Sequence, residues 1–115
     1  MLKKNNKKFI PIASPIIEEE EARAVYNVVK SGWISMGKKV KEFENMACDY
    51  IGSKHAIAMN NGTSTLHAIL TALEVGPGDE IILPSLTYIS SANVVLYLGA
   101  IPVLCENDPE TFNVT

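Results

Sequence analysis

The sequence shows no excess of positive charge. Its 115 residues carry ten basic and thirteen acidic side chains, a formal net charge of -3. Nucleic-acid binding normally needs a basic surplus, so no nucleic-acid partner is expected. The only basic cluster, Lys3, Lys4, Lys7 and Lys8, sits at the extreme N-terminus, where chain ends are usually poorly ordered, and reads as a solvated tail. Long apolar runs are missing too. None approaches the roughly 20 residues of a membrane-spanning helix, so no membrane partner is expected. The segment FIPIASPII contains two prolines and runs straight into four glutamates, which breaks the apolar stretch that a secretion signal requires. A cytoplasmic location is the expectation. Cysteine and histidine are scarce. Cys48 and Cys105 lie far apart with no CxxC spacing, and His55 and His67 do not cluster with them. Reduced thiols and no metal site are expected. Neither GxxxxGK[ST] nor GxGxxG occurs, so the two common nucleotide-phosphate loops are excluded.

What is present is an ordinary globular balance, 47% hydrophobic and 20% charged residues, in a length that suits one domain or part of a larger one. Residues 1–13 read as an arm with little regular structure. Ser14-Pro15 can open a helix, and Ala22, Val25, Tyr26 and Val29 recur at helical spacing, predicting an amphipathic helix over 17–30. Its acidic start and Lys30 at its end suit the helix dipole. Val40, Phe43, Ala47 and Tyr50 predict a second helix over 38–51, stopped by Gly52. The loop between them, SGWISMGKK, carries the only tryptophan, Trp33, as a packing anchor or as part of a binding wall. Beyond Lys54 the pattern predicts a strand over 55–59, a largely buried helix over 63–73 with Leu66, Ile69, Leu70 and Leu73 inward, a strand over 80–83, a helix over 89–98 and a strand over 101–104. The order ααβαβαβ predicts an α/β fold, a parallel or mixed sheet with helices on both faces. Three short strands make a thin sheet with an open edge, and the ending Phe112-Asn113-Val114-Thr115 has no stop character. Residues 14–115 are therefore expected to be a truncated portion of a larger domain, with apolar surface left exposed.

Three features converge where open α/β sheets hold their ligands. In AIAMNNGTSTLHAIL, a strand passes through Asn60-Asn61-Gly62 directly into a helix, so Thr63 and Ser64 offer amides and hydroxyls to an anion. An ordinary N-cap would explain the same residues. Pro84-Ser85-Leu86-Thr87-Tyr88 follows the next strand, and Tyr88 can lay an aromatic face against a planar ring, or serve as a core or capping tyrosine. The third feature is the Gly32-Trp33-Ile34-Ser35 loop. An anion site beside a stacking ring suggests a small aromatic phosphate, with pyridoxal 5'-phosphate the obvious candidate.

The stretches GWIS, EFE, HAIAMNNGTSTLHAIL, VGPGDEIILPSLTYISSANVVLYLGAIPVL and NDPETFNV, in that order, resemble the N-terminal part of the DegT/DnrJ family of pyridoxal-phosphate-dependent nucleotide-sugar aminotransferases. The resemblance runs from about Ile10 to Thr115. It implies the aspartate-aminotransferase-like (type I) fold, a homodimer, and transfer of an amino group from glutamate to a nucleotide-linked 4-keto-6-deoxy sugar, in polysaccharide or O-antigen synthesis. PSLTYISSAN and NDPETFN point to members that act on a GDP-linked sugar. By the same resemblance Gly62, Thr63 and Ser64 hold the cofactor phosphate, Tyr88 stacks on its ring, and Trp33, Ile34 and Ser35 line the sugar pocket. Glu106 stands where the family often has Asp. The family's Schiff-base lysine has no counterpart here. Lys54 falls at the wrong end of a strand, and Lys38, Lys39 and Lys41 look like a solvated helix face. No catalytic residue is therefore assigned, and the 115 residues alone are expected to be inactive. The resemblance also leaves open a related sugar dehydratase and a non-catalytic truncated remnant.

Overall fold

The computed structural model describes residues 9–114. The chain divides into two compact units, Met1–Ala56 and Ile57–Thr115. Most of the expected arm over 1–13 lies outside the described residues, and residues 9–18 carry neither helix nor strand.

The first unit contains α1 (Glu19–Lys30) and α2 (Lys38–Ile51). The helix expected to open at Ser14-Pro15 starts later, because its first turn is closed from Glu18. The Glu18 amide donates to Glu21 Oε2 at 2.8 Å, and this bond holds the Glu21 carboxyl below the usual carboxylate range. α2 occupies the range that its apolar spacing predicts. Gly52 ends it at φ 77, a left-handed conformation that glycine adopts without penalty, and its amide donates to Cys48 O at 2.8 Å. Neither helix buries a residue. The apolar stripe of α1 is therefore formed but exposed, and that of α2 is half-buried only at Val40 and Ala47.

The second unit runs α3 (Gly62–Ala72), β1 (Glu80–Pro84), α4 (Ser90–Tyr97) and β2 (Ile101–Cys105). β1 and β2 pair in parallel, from Glu80 opposite Ile101 to Pro84 opposite Cys105. Parallel neighbours need a crossover connection, and α4 supplies it while packing on both strands. α3 packs against α4. Leu83, Val94, Val95 and Ala100 form the buried core, with Leu70, Val75, Ile81 and Ala92 against it. The Cys105 thiol donates to Leu83 O at 3.3 Å across the sheet, and both cysteines are free. Beyond β2, Asp108 organises a turn. Its Oδ1 accepts from Thr111 N at 2.7 Å and Glu110 N at 3.0 Å, and these amides hold its carboxyl below the usual range, Thr111 contributing most.

Two expectations fail. No strand is assigned to residues 55–59, and the only sheet among the described residues has two strands, both parallel. An apolar run becomes a strand only when a neighbour takes up its ladder, and neither β1 nor β2 does so. The helix expected to be largely buried is not: Ile69 is 50% and Leu73 69% exposed, and only Leu70 reaches the core. The expected exposed apolar surface is present, and Ile82 and Leu104 on the two strands belong to it.

Val94 is 1% exposed in this small core, so Val94→Ala should lower the stability of the second unit by about 1–3 kcal/mol, read as a lower urea midpoint. An unchanged midpoint would contradict the core assignment. The Asp108 carboxylate is stabilised by folding. Its contribution is complete above the unfolded carboxyl pKa and is lost as pH falls through the lowered folded value. An acid titration followed at the Thr111 amide should therefore step below the ordinary aspartate range, and Asp108→Ala should abolish the step. A step at the ordinary range would show that the turn does not hold the carboxylate.

Candidate functional site

The first turn of an α-helix leaves amides without intrahelical acceptors. In α3 some of this demand is met locally. Asn61, in extended conformation at φ -165, is the N-cap, and its Oδ1 accepts from Ser64 N at 2.8 Å. Its carbonyl accepts from Thr65 N and from Thr65 Oγ1, both at 3.2 Å. The Gly62 and Thr63 amides donate to no described group, and the Thr63 hydroxyl makes no hydrogen bond among the described residues. A Cβ built on Gly62 would meet no heavy atom within 4 Å, so the side-chain side of Gly62 is open. The positive end of the helix dipole adds to their pull on an anion.

A pocket of about 630 Å³ lies there. Asn61, Gly62, Thr63, Thr65 and Leu66 line one side, and Tyr88, Ser90 and Ser91 line the other. The volume falls in the usual range for small-molecule sites, roughly 300–1,000 Å³. Tyr88 sits between β1 and α4, its side chain 76% exposed and free of the core. Ser90 opens α4; it is 8% exposed yet reaches the pocket. The Ser91 hydroxyl is 3.1 Å from Thr87 Oγ1. Among the described residues no charged side chain lines the pocket, and most of its lining surface is apolar, so an anion placed in it depends on its few polar groups. Among the described residues no group of three or more His, Cys, Asp or Glu side chains is arranged to hold a metal ion.

Gly62, Thr63 and Tyr88, read from the sequence as cofactor-binding, thus share one pocket. Ser64 does not line it, and its amide is engaged by Asn61. Trp33, Ile34 and Ser35 belong to the other unit. The Trp33 indole lies over Gly37, where any Cβ would collide with it, and Nε1 donates to Met36 O at 3.1 Å. Trp33 is nevertheless 65% exposed, and Ile34 and Ser35 are exposed as well. Sequence reasoning did not select Asn61, Thr65, Leu66, Ser90 or Ser91 as lining residues. The serine pair right after the Tyr88 loop, at the start of a helix, was the available signal.

The family model of the DegT/DnrJ/EryC1/StrS aminotransferase family matches residues 15–115. A GDP-perosamine synthase of Caulobacter vibrioides is 53% identical over 105 residues, which is 90% of this chain and 28% of that protein. The chain therefore spans little more than a quarter of that relative's length. Among solved structures, a Streptococcus pneumoniae protein described as a sugar aminotransferase, in its PLP form, superposes with a TM-score of 0.84 at 40% identity, over 91% of this chain and 27% of that one. An aminotransferase of Streptoalloteichus hindustanus gives 0.85 at 35% identity, over 93% and 30%. The α/β architecture is thus that of these aminotransferases, the type I fold anticipated above. No described helix is long and apolar enough to cross a membrane. With all but the first 14 residues inside the family match, the chain belongs to the DegT/DnrJ/EryC1/StrS aminotransferase family.

Proposed function

We propose that residues 14–115 are a portion of the large cofactor-binding domain of a pyridoxal-phosphate-dependent sugar aminotransferase. The observation that carries this reading is that Gly62 and Thr63, whose amides donate to no described group, line the same pocket as Tyr88. A phosphate needs several donors and tolerates no bulk close to the backbone. The open side of Gly62 and the Thr63 hydroxyl meet both demands. A pyridine ring needs a flat neighbour, and the exposed Tyr88 offers one. Ser64 can add a third amide if Asn61 Oδ1 releases it. Bound there, pyridoxal 5'-phosphate supplies an electron sink for chemistry at an amine-bearing carbon. This chain's part is to anchor the phosphate, orient the ring and present the Thr63 and Ser90 hydroxyls to the pocket.

The reaction proposed for the whole protein is amino transfer from glutamate, which leaves as 2-oxoglutarate, to a nucleotide-linked 4-keto-6-deoxy sugar. The 53% identity to a GDP-perosamine synthase favours a GDP-linked sugar and a role in polysaccharide or O-antigen synthesis. We place the protein in the cytoplasm as a homodimer, with Trp33, Ile34 and Ser35 lining the sugar pocket.

Two experiments test this reading. Pyridoxine 5'-phosphate, which lacks the aldehyde and cannot condense with surface lysines, should shift the Gly62 and Thr63 amide resonances of the 115-residue chain. Gly62→Ala should leave the fold intact, since its Cβ meets nothing, while weakening that binding; Asn61→Ala should cost about 1 kcal/mol of stability by removing the cap of Ser64. Undiminished binding in Gly62→Ala would overturn the phosphate site. For the reaction, residues 15–115 can replace the matching segment of the Caulobacter enzyme. The chimaera should convert the keto sugar and glutamate to an amino sugar and 2-oxoglutarate. Unchanged keto sugar in a chimaera that still retains cofactor would refute the substrate assignment.

A further inference from the structure

Tyr88 poses a mechanical question. Its side chain is 76% exposed, so core packing does not hold the ring where it lines the pocket. The backbone must hold it, and the backbone ahead of it is a loop, residues 85–88, between β1 and α4. That loop is tied down from a distance. Asn107 Oδ1 accepts from Leu86 N at 2.8 Å and from Ser85 Oγ at 3.0 Å, across 21 and 22 residues of sequence. The Ser85 amide adds one rung beyond the paired strands, to Cys105 O at 3.0 Å. Among the described residues the Leu86 amide has no other acceptor.

Asn107 is itself held from behind. Its Nδ2 donates to Phe112 O at 2.8 Å, and its backbone bridges antiparallel to Val114. Asp108 N donates to Asn113 O at 2.9 Å, and Phe112 N donates to Asp108 O at 2.8 Å. Phe112 adopts φ 60, which a bulky residue takes up only when its surroundings impose it. The carboxamide thus spends both oxygen lone pairs on the Tyr88 loop and one N–H on this strained turn. Only an amide does both. A carboxylate keeps the two acceptor bonds but turns an oxygen toward the Phe112 carbonyl.

We infer that Asn107 is the positioning residue of the Tyr88 ring, locking the loop after β1 to the turn after β2 so that the pocket discriminates a ring-bearing phosphate from a bare one. The inference rests on the cofactor reading given above. The anion donors, Gly62 and Thr63, lie on α3 and, among the described residues, make no hydrogen bond to this tether, so ring recognition and phosphate recognition are separable.

The test compares the wild-type chain with Asn107→Ala and Asn107→Asp, using pyridoxine 5'-phosphate and inorganic phosphate as ligands and hydrogen exchange at the Leu86 amide as a second readout. In Asn107→Ala, Leu86 should exchange faster and pyridoxine 5'-phosphate should bind about tenfold more weakly, while inorganic phosphate binds as before. Asn107→Asp should keep wild-type Leu86 protection and pyridoxine 5'-phosphate binding, with resonance changes confined to the Phe112 turn. Unchanged Leu86 exchange in Asn107→Ala, or equal loss of both ligands, would overturn the inference. Uptake of neither ligand by the wild type would refute the cofactor reading and the discrimination assigned to Asn107 together. The tether itself would then be decided by Leu86 exchange alone.

Discussion

The first turn of α3 has more donors than its own residues can satisfy. Asn61 engages Ser64 and Thr65, which leaves the Gly62 and Thr63 amides without a described acceptor and with a helix dipole behind them. Helix geometry guarantees some surplus at every N-terminus. What distinguishes this one is its surroundings. Glycine at the first helical position keeps the approach clear, Thr63 adds a hydroxyl, and an exposed aromatic shares the same pocket. The chemistry available follows from that imbalance. A few amides and hydroxyls in a largely apolar lining hold an anion by direction rather than by net charge, which suits a phosphate carried on a larger group.

The remainder of the second unit keeps those parts in place. Parallel pairing of β1 and β2 sends both strands out at the same end, so the Tyr88 loop and the Asp108 turn leave side by side. Asn107 joins them. α4 covers one side of the strands and carries Val94 and Val95 into a core of four buried residues. A frame this small positions its loops by hydrogen bonds as much as by packing. The side chains of Asn107 and Asp108, each accepting two hydrogen bonds, therefore carry structural weight out of proportion to their size.

Local signals read well from the sequence. Lys38–Ile51 coincides with its predicted range, because an apolar stripe ends against a glycine that can turn left-handed. The starts of α3 and α4 were legible from small polar residues, and the last two strands from short apolar runs that follow Gly78 and Gly99. Long-range facts were not legible. Residues 55–59 look like a strand, but strand formation depends on a partner that periodicity does not report. α3 carries Leu66, Ile69 and Leu70 beside small Ala68 and Ala72, which signals burial, yet only Leu70 finds the core. At the site, Thr63 and Gly62 follow from the turn pattern, whereas the Asn61 bond to Ser64 depends on a side-chain rotamer. The role of Asn107 depends on a contact spanning more than twenty residues and has no local signature at all.

The central claim is that a ring-bearing phosphate sits with its phosphate on the α3 amides and its ring against Tyr88. Intermolecular nuclear Overhauser effects between pyridoxine 5'-phosphate and the chain test this most directly. The account predicts contacts from the ligand's ring protons to the Tyr88 aromatic protons, abolished when Tyr88 is replaced by Ala. Contacts confined to other residues, or a pattern indifferent to Tyr88→Ala, would contradict it.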